Sequence, residues 1–184
     1  MGVAKSFLVF HKKSIITNKQ KQFIDSTPEK YLIQLTDEYK LLIENSWKKL
    51  KTDVESMGSL IFLQLFAENK DLKSNFRYFK DLSIEQIKAD SNLADHGLRV
   101  MSSVEKLISR IHSPDKMRSM IQDLGNRHKD YGAIVHFVPM VGERFLKIIE
   151  PRLIEHDMWC EKTEKAWKIL IKYLCTELMT SMTS

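Results

Sequence analysis

Residues 124–132 read LGNRHKDYG and residues 93–100 read LADHGLRV. Each stretch carries one of the chain's six histidines, and each lies within a pattern that has the period of an amphipathic helix. Leu93, Gly97, Val100, Val104, Leu107 and Ile111 make one apolar stripe, with His96 on its edge one turn before Val100. Met117, Met120, Ile121 and Leu124 make the other, and His128 is its next member. Both imidazoles are expected to point toward the interior.

A single histidine in such a position is usually a hydrogen-bonded core residue. Two buried imidazoles without partners would cost about 1 to 3 kcal/mol each, whereas a metal between them would use one lone pair from each. Zinc wants four N or S ligands, and neither a third histidine nor a cysteine stands at a matching spacing. Carboxylate ligands remain open, although the sequence has no HExxH or ExxH pair. A flat, apolar cofactor that supplies four equatorial nitrogens itself needs only one or two axial histidines, and haem fits this inventory.

The rest of the composition narrows the class. The chain has 184 residues, 43% hydrophobic and 29% charged, which is room for one domain with a sizeable core. Its longest apolar stretch, SLIFLQLFA, is interrupted by Gln64 and falls short of the roughly 20 residues that cross a bilayer, so no transmembrane helix is expected. The N-terminal FLVF patch is followed at once by His11, Lys12 and Lys13 and cannot act as a secretory signal core, which points to the cytoplasm. Cys160 and Cys175 suit a reducing compartment; on one helix they would stand roughly 22 Å apart, beyond disulfide reach, and the plain reading is packing.

Charge is unevenly placed. Residues 1–35 hold six lysines (5, 12, 13, 19, 21 and 30) against Asp25 and Glu29, which is four of the chain's net +5. The basic character belongs to a leader and not to the domain, which argues against nucleic acid and for an arm that meets an anionic surface.

From Thr36 the pattern is helical. Thr36, followed by Asp37 and Glu38, starts a helix. Asn69 to Leu82 is an irregular aromatic corner, a helix spans about Ile84 to Ile111 with an irregularity near Ala89 to Ser91, and Ser113-Pro114 opens the helix that carries His128. Tyr131-Gly132 closes it, Phe137-Val138-Pro139 opens another, and Pro151 marks the loop before a last helix over about 159–180. The expectation is an all-α domain of seven or eight helices over 36–180, between a flexible basic extension over 1–35 and a short tail over 181–184.

At this point residues 36–180 resemble a globin, and within that family the neuroglobin and globin X branch. Trp47, the ESMGSLIFLQLFA helix, DLKSNFRYF, HGLRV, LGNRHKDYG, VGERFL and AWKIL stand in the family's order. The resemblance implies a haem pocket holding haem b (iron protoporphyrin IX), with His128 as proximal iron ligand and His96 as distal ligand or gas-stabilising residue. It places Phe62, Phe76, Val100, Leu124 and Val138 against the cofactor, Tyr78 at the pocket mouth and Arg99 toward a propionate. Trp47 and Trp167 are read as core, and His112, His136 and His156 as solvated. Two departures matter: the corner after Phe76 lacks the cysteine pair of vertebrate neuroglobin, and Phe62 stands where some invertebrate globins have tyrosine.

The first residues, MGVAKS, fit the pattern for myristoylation of Gly2. One such chain binds membrane only marginally, and lysines in residues 2–21 would add attraction to an anionic leaflet, which suggests peripheral attachment at the cytoplasmic face. Globin X proteins are acylated at the N-terminus too, usually beside a cysteine absent here. Three functional readings follow. The first is a gas-binding haem protein with distal-histidine ligation and a redox, sensing or signalling role, handling oxygen, nitric oxide, carbon monoxide or nitrite with an unidentified reductase. The second is a pentacoordinate oxygen carrier. The third is a haemless helical interaction module.

Overall fold

The computed structural model describes residues 27–184; Gly2 and the lysines from 5 to 21 lie outside the described residues. Pro28–Gln34 forms α1, Asp37–Leu50 α2, Val54–Glu68 α3, Lys70–Ser74 α4, Ile84–Lys88 α5, Ser91–Ile108 α6, Pro114–Asp130 α7, Val138–Glu155 α8 and Glu161–Thr183 α9. The 3₁₀ turns Lys51–Asp53 and Val135–Phe137 lead into α3 and α8. Among the described residues there is no strand, and the all-α architecture expected from the sequence is the one found.

Local chemistry sets the boundaries. Thr36 Oγ1 accepts from the Tyr39 amide at 3.3 Å to cap α2. Ser83 and Gln86 form a reciprocal capping box at the start of α5. The expected helix over 84–111 is two helices: Ala89 and Asp90 separate them, and the Asp90 carboxylate accepts from the Asn92 amide at 2.8 Å to start α6 afresh. In the aromatic corner, Lys73 Nζ donates to the Leu82 carbonyl at 2.6 Å, tying α4 to the end of that loop.

Three expectations need correction. Pro151 does not end its helix; it sits inside α8, which runs on to Glu155. The bond it forfeits is to the Lys147 carbonyl, and both residues are exposed, so water can serve that oxygen. The domain does not begin at residue 36: α1 packs against α9, with Tyr31 and Leu35 buried, because residues 28–35 carry apolar groups that charge counting overlooks. Nor does it end at 180, since α9 continues to Thr183 with Ser181 and Met182 buried. The cysteines are both free: Cys175 is core, whereas Cys160 is exposed at the N-cap of α9, where the Thr163 hydroxyl and the first amides of the helix lower its pKa.

The most extensive helix contacts are α3 with α6 and α7 with α9. The first pair meets backbone to backbone at Gly58 and Gly97: a Cβ on Gly97 would lie 2.6 Å from the Gly58 carbonyl carbon, where no side chain fits. Between α2 and α9 the Trp47 and Trp167 ring centroids lie 6.3 Å apart, and Trp167 Nε1 donates to Ser46 Oγ at 2.9 Å. Arg144 of α8 reaches Gln64 and Glu68 of α3, and Arg152 donates to Asp53 at 2.6 Å.

Replacing Gly97 with alanine forces α3 and α6 apart and is expected to cost about 1–3 kcal/mol, the usual price of overpacking. Urea unfolding measures it, and a variant as stable as the parent would mean that the two backbones are not in contact.

Candidate haem site

His128 occupies the last turn of α7. The helix ends there because Gly132, at φ +73, adopts the left-handed conformation of a C-terminal cap. The Ala133 amide then donates to the His128 carbonyl, and the Gly132 amide to that of Lys129, each at 2.9 Å. The His128 carbonyl is thus held within the cap that closes the helix. Its Nδ1 lies 2.8 Å from the Leu124 carbonyl oxygen. A carbonyl can only accept, so the proton is on Nδ1 and the Nε2 lone pair is left for a metal.

His96 sits one residue before the Gly97 crossing. The Phe62 ring from α3 meets it edge-on at 4.5 Å, and the Phe76 ring from the corner does the same at 5.3 Å. Its contacts among the described residues are aromatic, and none is a hydrogen bond. Burial holds its pKa down at about 4, with the charges of Arg99 and His128 pushing the same way. The ring is therefore neutral near pH 7, with a lone pair not engaged by the described residues. The helices that carry the two imidazoles, α6 and α7, touch at few points.

Phe62 is buried and Phe76, Val100, Leu124 and Val138 are half-buried against the core. Arg99 is exposed, and Tyr78 is 66% exposed and makes no ring contact among the described residues. Two rings singled out too little by the sequence belong with the site. Phe66 and Phe79 join Phe62 and Phe76 in one cluster, with Phe66 4.8 Å from Phe76 and 5.4 Å from Phe79. The signal was there, since Phe66 is one helical turn from Phe62. Met101, four residues after Gly97, is 1% exposed and was likewise missing from the stripe. Of the three other histidines among the described residues, His112 Nε2 lies 3.3 Å from Glu44, and His156 is exposed. His136 is not simply solvated: it is half-buried beside Phe137, and that burial lowers its pKa against an opposing pull from Asp71.

Comparisons with known proteins give the family and the fold. The Globin family model matches residues 59–178, and the chain belongs to the globin family. It is 27% identical over 151 residues to cytoglobin-1 of Oryzias latipes, covering 78% of this chain and 81% of that one. To a globin of Nerita albicilla it is 29% identical over 90 residues, 49% of this chain and 57% of the other. It superposes, with a TM-score of 0.76 and 21% identity, on the crystal structure of a hexacoordinated heme protein from an anhydrobiotic tardigrade at pH 4. That likeness, one of fold, covers 86% of this chain and all of the other.

The family's cofactor is haem, and the residues present fit it: one imidazole with its tautomer fixed and Nε2 free, another neutral and unengaged, and a wall of aromatic and aliphatic side chains. No helix among the described residues is long and apolar enough to cross a membrane.

The low pKa of His96 has a stability consequence in the haem-free protein. The unfolded chain takes up this proton near pH 6.5 and the folded one only near pH 4, so the unfolded state binds more protons in between. The neutral ring's contribution is intact above about pH 6.5 and declines as pH falls toward about 4. Urea unfolding of His96→Leu beside the parent should show a shallower loss across that window; identical slopes would show that another group carries it.

Proposed function

We infer that this chain is a haem b globin in which His96 occupies the sixth iron position when no gas is bound, and that its role is redox chemistry, sensing or signalling. The observation that carries this reading is the state of His96: neutral, wedged between two phenylalanine rings and without a hydrogen-bond partner among the described residues. When bound, the haem supplies an iron that takes oxygen, carbon monoxide or nitric oxide and can change oxidation state. His128, oriented by the Leu124 carbonyl, would hold the iron through Nε2. External ligands would have to compete with His96, which would lower their apparent affinity by the fraction of open site. A hexacoordinated heme protein of the same fold makes this a state the fold can adopt.

Covalent attachment is not available, because neither Cys160 nor Cys175 stands in a CxxCH arrangement. Redox turnover, including nitrite reduction or nitric oxide dioxygenation, would require an electron-donating reductase. The neuroglobin and globin X resemblance favours such a role. Tethering would suit it too: a myristoyl group on Gly2, assisted by the leader lysines, would hold the protein at the cytoplasmic face of an anionic membrane. A Gly2→Ala variant should then move from the membrane to the soluble fraction, and unchanged fractionation would remove the tether from the account.

The reduced, gas-free optical spectrum tests the coordination. Sharp, split visible bands are expected, whereas one broad band would mean an open site and favour an oxygen carrier. His128→Ala should abolish stable haem binding, and His96→Ala should keep haem and speed carbon monoxide binding. Equal behaviour of the two variants would overturn the proximal and distal assignment, and a colourless protein unable to take up haemin would revive the haemless reading.

A further inference from the structure

A carboxylate lies where the apolar pattern gives no reason for one. Glu177 is only 4% exposed in the second half of α9, and a charge so placed persists only when it is paired. Its Oε1 accepts from Gln122 Nε2 at 2.8 Å, and its Oε2 lies 3.8 Å from Arg118 Nε. Arg118 Nη2 in turn donates to Glu29 of α1 at 2.9 Å. The buried Tyr173 hydroxyl lies beside the same guanidinium, whose positive charge opposes the rise that burial gives the Tyr173 pKa.

Arg118 and Gln122 are one turn apart on α7, the helix that carries His128. Six residues separate Gln122 from His128, about 9 Å along the axis. Within that interval Gly125 lets α7 settle on α9, for a Cβ there would meet Ser181 Cβ at 2.5 Å and the Leu178 carbonyl at 3.0 Å. One turn later Lys129 Nζ donates to the Ser184 carbonyl. The contacts advance together along both helices, from Glu177 through Ser181 to Ser184.

We propose that Glu177 is a positioning residue: by engaging Arg118 and Gln122 together it fixes the register of α7 on α9, and through it the placement of His128 Nε2. Apolar contact is non-directional and tolerates a slip. A carboxylate hydrogen-bonded to Gln122 and ion-paired with Arg118 does not, because a shift of one residue turns both partners about 100° away from it. The consequence for the iron rests on the haem reading above; the register itself does not.

Two measurements on the full chain separate these. Glu177→Gln keeps the volume but turns an amide toward Arg118, and Gln122→Leu removes the donor at an exposed position. Amide hydrogen exchange of the haem-free protein should become about tenfold faster over 122–130 in both. In haemin-loaded, reduced protein, the iron–histidine stretching band recorded by resonance Raman after photolysis of carbon monoxide should shift in both. Arg152→Gln, which removes the tie to Asp53 and leaves α7 alone, should change neither. Unaltered exchange overturns the proposal, as does faster exchange with an unmoved band, or the same shifts in Arg152→Gln, which would make the effect one of overall stability. A parent protein that takes up no haemin would sink the haem reading, while the exchange measurement would still decide the register.

Discussion

The contact of Gly58 with Gly97 is the constraint from which the distal half follows. Two helices whose backbones touch cannot slide or rotate without a clash, so the residues flanking the contact are placed with it. Phe62 lies one turn past Gly58 and His96 immediately before Gly97, which is why the two rings meet at 4.5 Å. Any residue with a side chain at either position would separate α3 from α6 and loosen the aromatic wall that keeps the imidazole dry. The neutral state of His96 is thus a product of helix packing more than of any partner it has.

The proximal half is built differently. His128 is held by bonds within its own helix, Nδ1–H to the Leu124 carbonyl and the cap at Gly132, while α7 as a whole is held by α9. His96 and His128 consequently belong to two separately packed helix pairs with few direct contacts between α6 and α7. A flat apolar group held from both sides would join the pairs.

Much of this was legible in the sequence because it is local. The helix start at Thr36 depends on a side chain that reaches an amide three residues on, and the closing glycine at 132 depends on a single backbone angle. The periods that set His96 and His128 on apolar faces are likewise properties of one helix each. Pro151 misled because proline weakens a helix by removing one bond, and on an exposed face water makes up that loss. The leader boundary misled because net charge over 1–35 says nothing of Tyr31 and Leu35, whose burial against α9 is a matter of which surface they meet.

By itself, then, the sequence determined the long helices from Thr36 onward, their order and the inward faces on which His96 and His128 sit, since these follow from caps and from the 3.6-residue period. Tertiary structure alone decided what surrounds those imidazoles. The depressed pKa of His96 comes from Phe62 and Phe76, which reach it from two other elements. The burial of Glu177 comes from α1 and α7 closing over one face of α9, a face on which the sequence shows only a polar residue among apolar ones. Desolvation and charge pairing depend on distances between chain segments remote in sequence, such as the 55 residues between Gln122 and Glu177, and no local pattern encodes those.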